Sequence, residues 1–316
     1  NFFMKKKTIY LSGHTGMVGL SVIKLLNKQK KYRIIIPKKR VDLTNKKNTE
    51  DFFQSHKPEI VINLAAKVGG IMSNNNNKIE FLNTNALIQM NVANSCYKFG
   101  VKKLINFGSN CIYPKNIKNK ISETDLLEGK LETTNEGYSV AKILGLKLCQ
   151  FYNEQFEKQF FTLMPANLYG PNDNFYDDNS HVVPALIRKI YNAHKHKHAS
   201  VTLWGSGTPI RDFLYVDEMA KAIVFFLEKD LKDVIHKNKT HYVNVGSGKG
   251  VSIKNLASRI KKIIKYEGKI LWDQKILDGH KKKILDTSLA QKLGLQIYDN
   301  FDKNLKITID WYLSHD

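Results

Sequence analysis

The sequence predicts an α/β fold, a doubly wound parallel sheet with a smaller C-terminal α/β domain. Up to residue 170, short apolar runs alternate with longer segments of helical periodicity. The runs are almost continuously apolar, which is typical of strands covered on both faces of a parallel sheet. From residue 172 the chain is rich in Asn and Asp. We expect a first domain over residues 4–170, completed by segments near 211–250, and a second domain over 171–316.

The first predicted strand, residues 8–11, ends in a glycine-rich turn, and an apolar-periodic helix follows. Strand, glycine turn and helix in this order are the context of a dinucleotide-binding fingerprint, although a glycine triplet also occurs in ordinary turns. Glycines let the turn close tightly and let backbone N–H groups approach a pyrophosphate. The GxxGxxG spacing predicts cofactor contacts from Gly13, His14, Thr15, Gly16, Met17, Val18 and Gly19.

The second predicted strand, residues 32–36, lacks the acid that holds the ribose 2′-hydroxyl of NAD. Lys38, Lys39 and Arg40 follow it instead, and Asp42 comes too late for that position. A 2′-phosphate would find cations there, so NADP is favoured over NAD, with Lys38 as the expected contact. The alternative is a solvated basic turn.

The remaining elements of the first domain continue the alternation. The pattern predicts helices over residues 49–56 and 81–99, strands over 60–66, 103–107 and 160–164, and a loop at the asparagine run 74–77. Ligands bind at the carboxyl ends of strands in such sheets. Ser109 and Cys111, which follow the 103–107 strand, therefore lie where chemistry is expected.

Tyr138 and Lys142 begin another apolar-periodic helix. Residues four apart lie on one face of a helix, so the phenol and the ammonium are expected side by side. A neighbouring cation lowers the pKa of a phenol, which would make Tyr138 a proton donor or acceptor near neutral pH. The same spacing also occurs by chance in many helices.

Beyond residue 170 the expected elements are shorter. We expect a helix to about residue 194, strand-like runs over 201–204 and 211–216, a strand-to-helix turn at 246–249, and helices near 253–264 and 304–313.

Composition narrows the class of protein. The net charge is +21 over 316 residues, but the cations are spread along the chain and no nucleic-acid-binding motif accompanies them. We therefore expect no nucleic-acid partner. The three cysteines permit neither a disulfide framework nor a zinc site. With no bilayer-length apolar run and no signal-like segment, we expect a cytoplasmic protein without a membrane partner or a metal.

The ordered motifs give the chain a family resemblance that extends from residue 9 over nearly all of its length. It resembles the extended short-chain dehydrogenase/reductase family, and within it the enzymes that epimerise and reduce GDP-linked 4-keto-6-deoxy sugars. The segments that carry the resemblance are 13–19, 65–71, 111–114, 167–171, 173–175, 180–182 and 204–209. The resemblance implies five catalytic residues: Ser109, Cys111, Tyr138, Lys142 and His181.

Binding residues and partners are implied in the same way. Cofactor contacts are implied for Ala65, Ala66, Phe107, Gly108, Ser109, Lys142, Pro165, Ala166, Asn167, Leu168 and His181. Contacts to the GDP part of the substrate are implied for Lys189, Trp204, Arg211, Asp278 and Lys283. The expected cofactor is NADP(H), and the expected assembly is a homodimer.

Some features depart from the family pattern, and other functions stay open. Thr15 and Lys189 stand where arginine is common, and His280-Lys281-Lys282 replaces a Thr-Pro-Arg run. The alternatives are a GDP-heptose epimerase/reductase, a nucleotide-sugar 4,6-dehydratase and a non-catalytic NADP-sensing regulator. The retained Tyr138/Lys142 pair argues against the regulator.

Overall fold

The computed structural model describes residues 6–176, 180–275 and 280–315. In its first half the elements are β1 Lys7–Ser12, α1 Met17–Gln29, β2 Tyr32–Ile35, α2 Lys46–His56, β3 Ile60–Asn63, α3 Ile71–Asn76, α4 Lys78–Lys98, β4 Lys103–Phe107, α5 Glu136–Phe156 and β5 Gln159–Pro165. Two short 3₁₀ turns, Asn110–Ile112 and Glu123–Asp125, lie between β4 and α5.

In its second half the elements are β6 Asn167–Tyr169, α6 Val182–Lys195, β7 Ser200–Trp204, β8 Ile210–Arg211, β9 Phe213–Tyr215, α7 Val216–Glu228, α8 Leu231–Asn238, β10 Tyr242–Val245, β11 Val251–Ser252, α9 Ile253–Ile264, β12 Lys269–Asp273, β13 Lys282–Lys283, α10 Ser288–Lys292 and α11 Phe301–Leu313.

The main sheet has six parallel strands in the order β10-β5-β4-β3-β1-β2. This confirms the predicted doubly wound α/β class. The order reverses between β1 and β3, where the crossovers leave in opposite directions and open a crevice at the carboxyl ends of the strands. The strand β10 comes from late in the chain and closes one edge of the sheet.

The strands are buried because their side chains are apolar on both faces. β3 and the central residues of β4 are fully covered, and helices pack on each side to form two clusters around the sheet. One cluster includes α1 and α7, and the other includes α2 and α4.

A third apolar cluster lies outside the main sheet. It is built by α6, α9 and α11 together with short strands, which pair as β11-β8-β13, β12-β7 and β6-β9. Helix α6 begins at Val182, after the N-cap residue His181, and buries Val183, Leu186 and Ile190 along one face. These elements form the smaller α/β part of the fold.

The prediction of a loop at residues 74–77 is wrong. Residues Ile71–Asn76 form a helix, because asparagine side chains satisfy backbone carbonyls there. Asn74 Nδ2 donates to Gly69 O at 2.7 Å and to Gly70 O at 3.1 Å, and Asn77 Nδ2 donates to Ser73 O at 3.0 Å. The strand predicted over 60–66 ends at Asn63. Among the helices of the described residues, none has the length and apolar character needed to cross a bilayer.

Candidate active site

The glycine turn closes directly over the end of β1. Gly13 has φ 72°, the left-handed conformation that favours glycine, and Gly16 caps the N-terminus of α1. A Cβ on Gly19 would lie 2.3 Å from the carbonyl oxygen of Gly13 and 2.7 Å from Cα of His14. The start of α1 can therefore lie against the turn only because residue 19 has no side chain. The N–H groups of the first helical turn then face the crevice. This cradle fits a dinucleotide diphosphate.

A buried polar ladder joins the strand ends beneath this turn. Ser12 Oγ donates to Asn63 Oδ1 at 2.8 Å, and Asn63 Nδ2 donates to Asn106 Oδ1 at 3.2 Å. Ser12 Oγ also accepts the N–H of Ala65 at 3.3 Å, which fixes the segment that follows β3. The ladder therefore ties the ends of β1, β3 and β4 to one another. No sequence pattern predicts the ladder, although Ser12 and Asn63 end their strands and Asn106 is the residue before the last of β4.

Lys142 is buried on α5 and points at the end of β4. Its side chain is 1% exposed, and its amine donates to Phe107 O at 2.7 Å. Because burial disfavours the charged form, the pKa of Lys142 falls to about 8. Its Nζ lies 5.7 Å from the centroid of the Tyr138 ring, so the expected pairing of the two side chains is present.

The expectation that Lys142 lowers the pKa of Tyr138 is wrong. Burial raises the pKa of the phenol and Cys111 adds to the rise, while a hydrogen bond with the Ser109 side chain opposes it. The Lys142 amine meanwhile donates to a backbone carbonyl. Tyr138 is therefore a protonated phenol at neutral pH, which suits a proton donor.

Ser109 and Cys111 lie on the 3₁₀ turn that follows β4. Ser109 Oγ accepts the N–H of Cys111 at 3.2 Å, and the Cys111 carbonyl accepts Ser139 Oγ at 2.9 Å from α5. Gly108 allows the turn to pass close to β5, because a Cβ there would lie 2.2 Å from Sδ of Met164. The structure thus brings Ser109, Cys111 and Tyr138 together.

His181 caps the N-terminus of α6, and its side chain is 52% exposed. Its Nδ1 lies 3.9 Å from Oδ1 of Asp173. Interaction with the carboxylate of Asp173 raises the pKa of His181, and burial opposes the rise. Asp173 belongs to the segment 173–175 that carries the family resemblance, but no spacing rule connects residues 173 and 181, so the sequence predicts no role for it.

The residues expected at the GDP end lie in two places. Lys189 Nζ lies 4.0 Å above the ring of Trp204, which is half exposed. Arg211 donates to His280 O at 2.6 Å, and its register partner on β13 is Lys283. Lys283 is 5% exposed.

Burial lowers the pKa of Lys283, and the neighbouring Cys111, which also hydrogen-bonds the amine, only partly opposes the fall. The Lys283 amine therefore lies beside the thiol that is expected to act as a base. The contact of Lys283 with a diphosphate stays a prediction. Asp278, the remaining expected substrate residue, lies outside the described residues.

The cofactor residues expected from the resemblance follow the strand ends. Lys38 is exposed just after β2, the strand that pairs with β1. Ala65 and Ala66 follow β3, Phe107 ends β4 and Gly108 follows it, and residues 165–168 join β5 to β6. In the described residues, no group of three His, Cys, Asp or Glu side chains is arranged to hold a metal ion.

Comparison with known proteins agrees with this geometry. The model of the NAD dependent epimerase/dehydratase family matches residues 9–246, well over half of the chain. The chain belongs to this family. As a member of the NAD dependent epimerase/dehydratase family it is an enzyme that uses a nicotinamide cofactor.

Individual members of the family are similar over nearly the whole chain. GDP-L-fucose synthase 1 of Arabidopsis thaliana is 42% identical and covers 98% of this chain and 94% of its own. The structure of a GDP-6-OMe-4-keto-L-xylo-heptose reductase from C. jejuni matches with a TM-score of 0.92, 29% identity and 99% coverage of both chains. A GDP-L-fucose synthetase from Naegleria fowleri bound to NADP matches with a TM-score of 0.86 and 28% identity, over 99% of this chain and 96% of its own.

Proposed function

We propose that the protein converts GDP-4-keto-6-deoxy-D-mannose to GDP-L-fucose by inverting C3 and C5 and reducing C4. The observation that carries the proposal is the grouping of Ser109, Cys111 and Tyr138 at the end of β4, beside the buried Lys142. A thiol, a hydroxyl and a phenol together match a reaction that needs both a carbon base and a carbonyl-oxygen donor. The 42% identical relative named GDP-L-fucose synthase 1 supports the same substrate.

The epimerisation follows from the acidity of the carbons beside a ketone. In the proposed reaction Cys111, as a thiolate, accepts the proton of C3 or C5, and the electron pair moves to the C4 oxygen. Ser109 and Tyr138 stabilise this enolate by hydrogen bonds to its oxygen. His181 then supplies a proton on the opposite face of the same carbon, which inverts its configuration.

The reduction uses the same oxygen contacts. Bound NADPH supplies the hydride that C4 receives. Tyr138 gives its phenolic proton to the C4 oxygen, and its raised pKa keeps that proton in place until negative charge develops there. Lys142 uses one of three N–H donors on Phe107 O, so two remain for the nicotinamide ribose.

We infer that the cofactor is NADPH rather than NADH. Three successive cations, Lys38, Lys39 and Arg40, are exposed after β2, where a 2′-phosphate would lie. The Naegleria fowleri relative was solved with NADP, which supports the same preference.

Deuterium exchange tests the proposal. Incubated with GDP-4-keto-6-deoxy-D-mannose in heavy water without NADPH, the protein is expected to incorporate deuterium at C3 and C5, as read by NMR. Cys111→Ser should lose this exchange. The matched variant Tyr138→Phe should keep detectable exchange while C4 reduction falls by roughly 10²- to 10⁴-fold. An unmodified protein that incorporates no deuterium would rule out the proposed function.

A GDP-heptose is the second candidate substrate. The observation that favours it is the TM-score of 0.92 to a GDP-heptose reductase. Competition between a GDP-4-keto-heptose and the hexose, compared as kcat/KM for NADPH oxidation, separates the two. A higher value for the heptose would replace the hexose proposal.

We also propose that the protein is a homodimer that pairs through α4 and α5. These helices pack against each other and expose apolar side chains on their outer face: Ile79, Leu87, Tyr97, Val140, Phe151 and Phe156. A face of this kind is typical of a protein interface. Light scattering should give twice the 36.3 kDa chain mass, and a monomer mass at micromolar concentration would contradict the proposal.

A further inference from the structure

The loop before α6 holds an acid that the proposed chemistry has not used. Asp173 has a side chain that is only 7% exposed. Its Oδ1 accepts the N–H of Asn174 at 2.8 Å, while Oδ2 is buried and has no hydrogen-bond partner among the described residues. A buried carboxylate is costly unless a donor or a cation compensates its charge.

His181 is the compensating group. Its Nδ1 lies 3.9 Å from Oδ1 of Asp173, a separation typical of an ion pair rather than of a strong hydrogen bond. Two other influences oppose a positive charge on this ring, namely its partial burial and its place at the N-terminus of α6, where the helix dipole is positive. The pKa of His181 is nevertheless raised, so the interaction with Asp173 outweighs the effect of burial.

The pKa of His181 responds to one charged neighbour among the described residues, Asp173. The cations of α6 nearest to His181 are Arg188 and Lys189, about two helical turns along. Asp173 is the charge that acts on the pKa of His181 in the described part of the chain.

Packing fixes the pair in place. Phe175, two residues after the acid, is fully buried and stacks on Tyr312 with ring centroids 4.8 Å apart. Val183, two residues after the histidine, is buried in the same apolar cluster. The segment around Asp173 and the start of α6 are therefore anchored in one apolar core.

We propose that Asp173 is a positioning residue that keeps His181 protonated and turned so that its Nε2–H is the proton delivered to the inverted carbon. This inference rests on the proposed function, in which His181 is the acid. The proton leaves Nε2 and bonds to carbon with the electron pair of the enolate, and the imidazole becomes neutral. Nδ1–H stays with the carboxylate, and solvent returns a proton to Nε2.

Asp173→Asn tests the inference because it keeps the size of the side chain and removes its charge. The imidazole of His181, followed by NMR of histidine-labelled protein and assigned with His181→Gln, should titrate about one pH unit lower in the variant. The rate of inversion at C3 and C5 should then begin to fall at a correspondingly lower pH than in the unmodified protein. On the alkaline side the variant should invert about tenfold more slowly. Asp173→Glu should restore most of both, and Asp233→Asn, which removes an exposed carboxylate from α8, should change neither.

The readouts separate this inference from the proposed function. Exchange of deuterium without inversion needs only Cys111, so Asp173→Asn should still wash deuterium into the sugar while the inverted product forms slowly. If the unmodified protein neither exchanges nor inverts, the proposed function fails, and the NMR titration still decides whether Asp173 holds the charge of His181. If the variant inverts with the pH profile of the unmodified protein, or if the titration of His181 does not move, Asp173 is not the positioning residue.

Discussion

The variant Lys142→Met should be at least as stable as the unmodified protein near pH 7 and less stable than it near pH 10.5. Burial lowers the pKa of Lys142 from 10.5 to about 8, so both the folded and the unfolded chain are protonated below pH 8. Between pH 8 and 10.5 only the unfolded chain holds the proton, and the free energy of unfolding of the unmodified protein therefore rises with pH. The interval of about 2.5 pH units corresponds to about 3 kcal/mol.

The methionine variant lacks this gain but leaves the carbonyl of Phe107 without its donor, which costs about 1–3 kcal/mol at any pH. Near pH 7 the variant should therefore be equal to the unmodified protein or up to about 2 kcal/mol more stable. Near pH 10.5 it should be less stable, by the cost of the lost hydrogen bond. It should be catalytically impaired throughout.

Urea unfolding followed by circular dichroism from pH 7 to pH 10.5 measures the difference between the two proteins, in which other titrating groups cancel. Lys147→Met, on the same helix, controls for the loss of one lysine charge. If the stability difference between Lys142→Met and the unmodified protein stays constant over this range, Lys142 does not carry the lowered pKa and the reasoning fails.

Two further predictions concern the cofactor. Gly19→Ala should lower both the melting temperature and the NADPH affinity, because its Cβ would lie 2.3 Å from a backbone oxygen. Gly16→Ala should lower the affinity alone, because the nearest atom to its Cβ is 3.5 Å away. Equal melting temperatures for the two variants would contradict this prediction. Lys38→Glu should reduce the preference for NADPH over NADH in kcat/KM by at least about tenfold, and an unmodified protein that uses both cofactors equally would refute the role of the basic turn.

The sequence predicts the main sheet well. Strands that are buried on both faces appear as continuous apolar runs, and helices that are buried on one face appear as apolar residues at helical spacing. The helix Ile253–Ile264 was predicted with its bounds. The helix Ile71–Asn76 was missed, because asparagine has a low helix propensity and its hydrogen bonds to carbonyls four residues back are invisible in composition.

The chemistry of the site was predicted less completely. Order along the chain was enough to propose Ser109, Cys111 and Tyr138, which share a turn and a neighbouring helix. It could not show that Lys142 donates to Phe107 O, or that burial dominates the pKa of Tyr138, since both depend on what surrounds the side chains in three dimensions. The role proposed for Asp173 likewise depends on the packing of a loop against a helix end.

The ladder of Ser12, Asn63 and Asn106 constrains how this chain can change over evolutionary time. Each of the three residues is about 1% exposed, and Asn63 hydrogen-bonds the Ser12 hydroxyl and the side-chain carbonyl oxygen of Asn106. Replacing Asn63 alone by an apolar residue would strand two buried polar groups, at about 1–3 kcal/mol each. Related sequences should therefore either keep all three residues or replace them together, although the three positions lie far apart in the sequence.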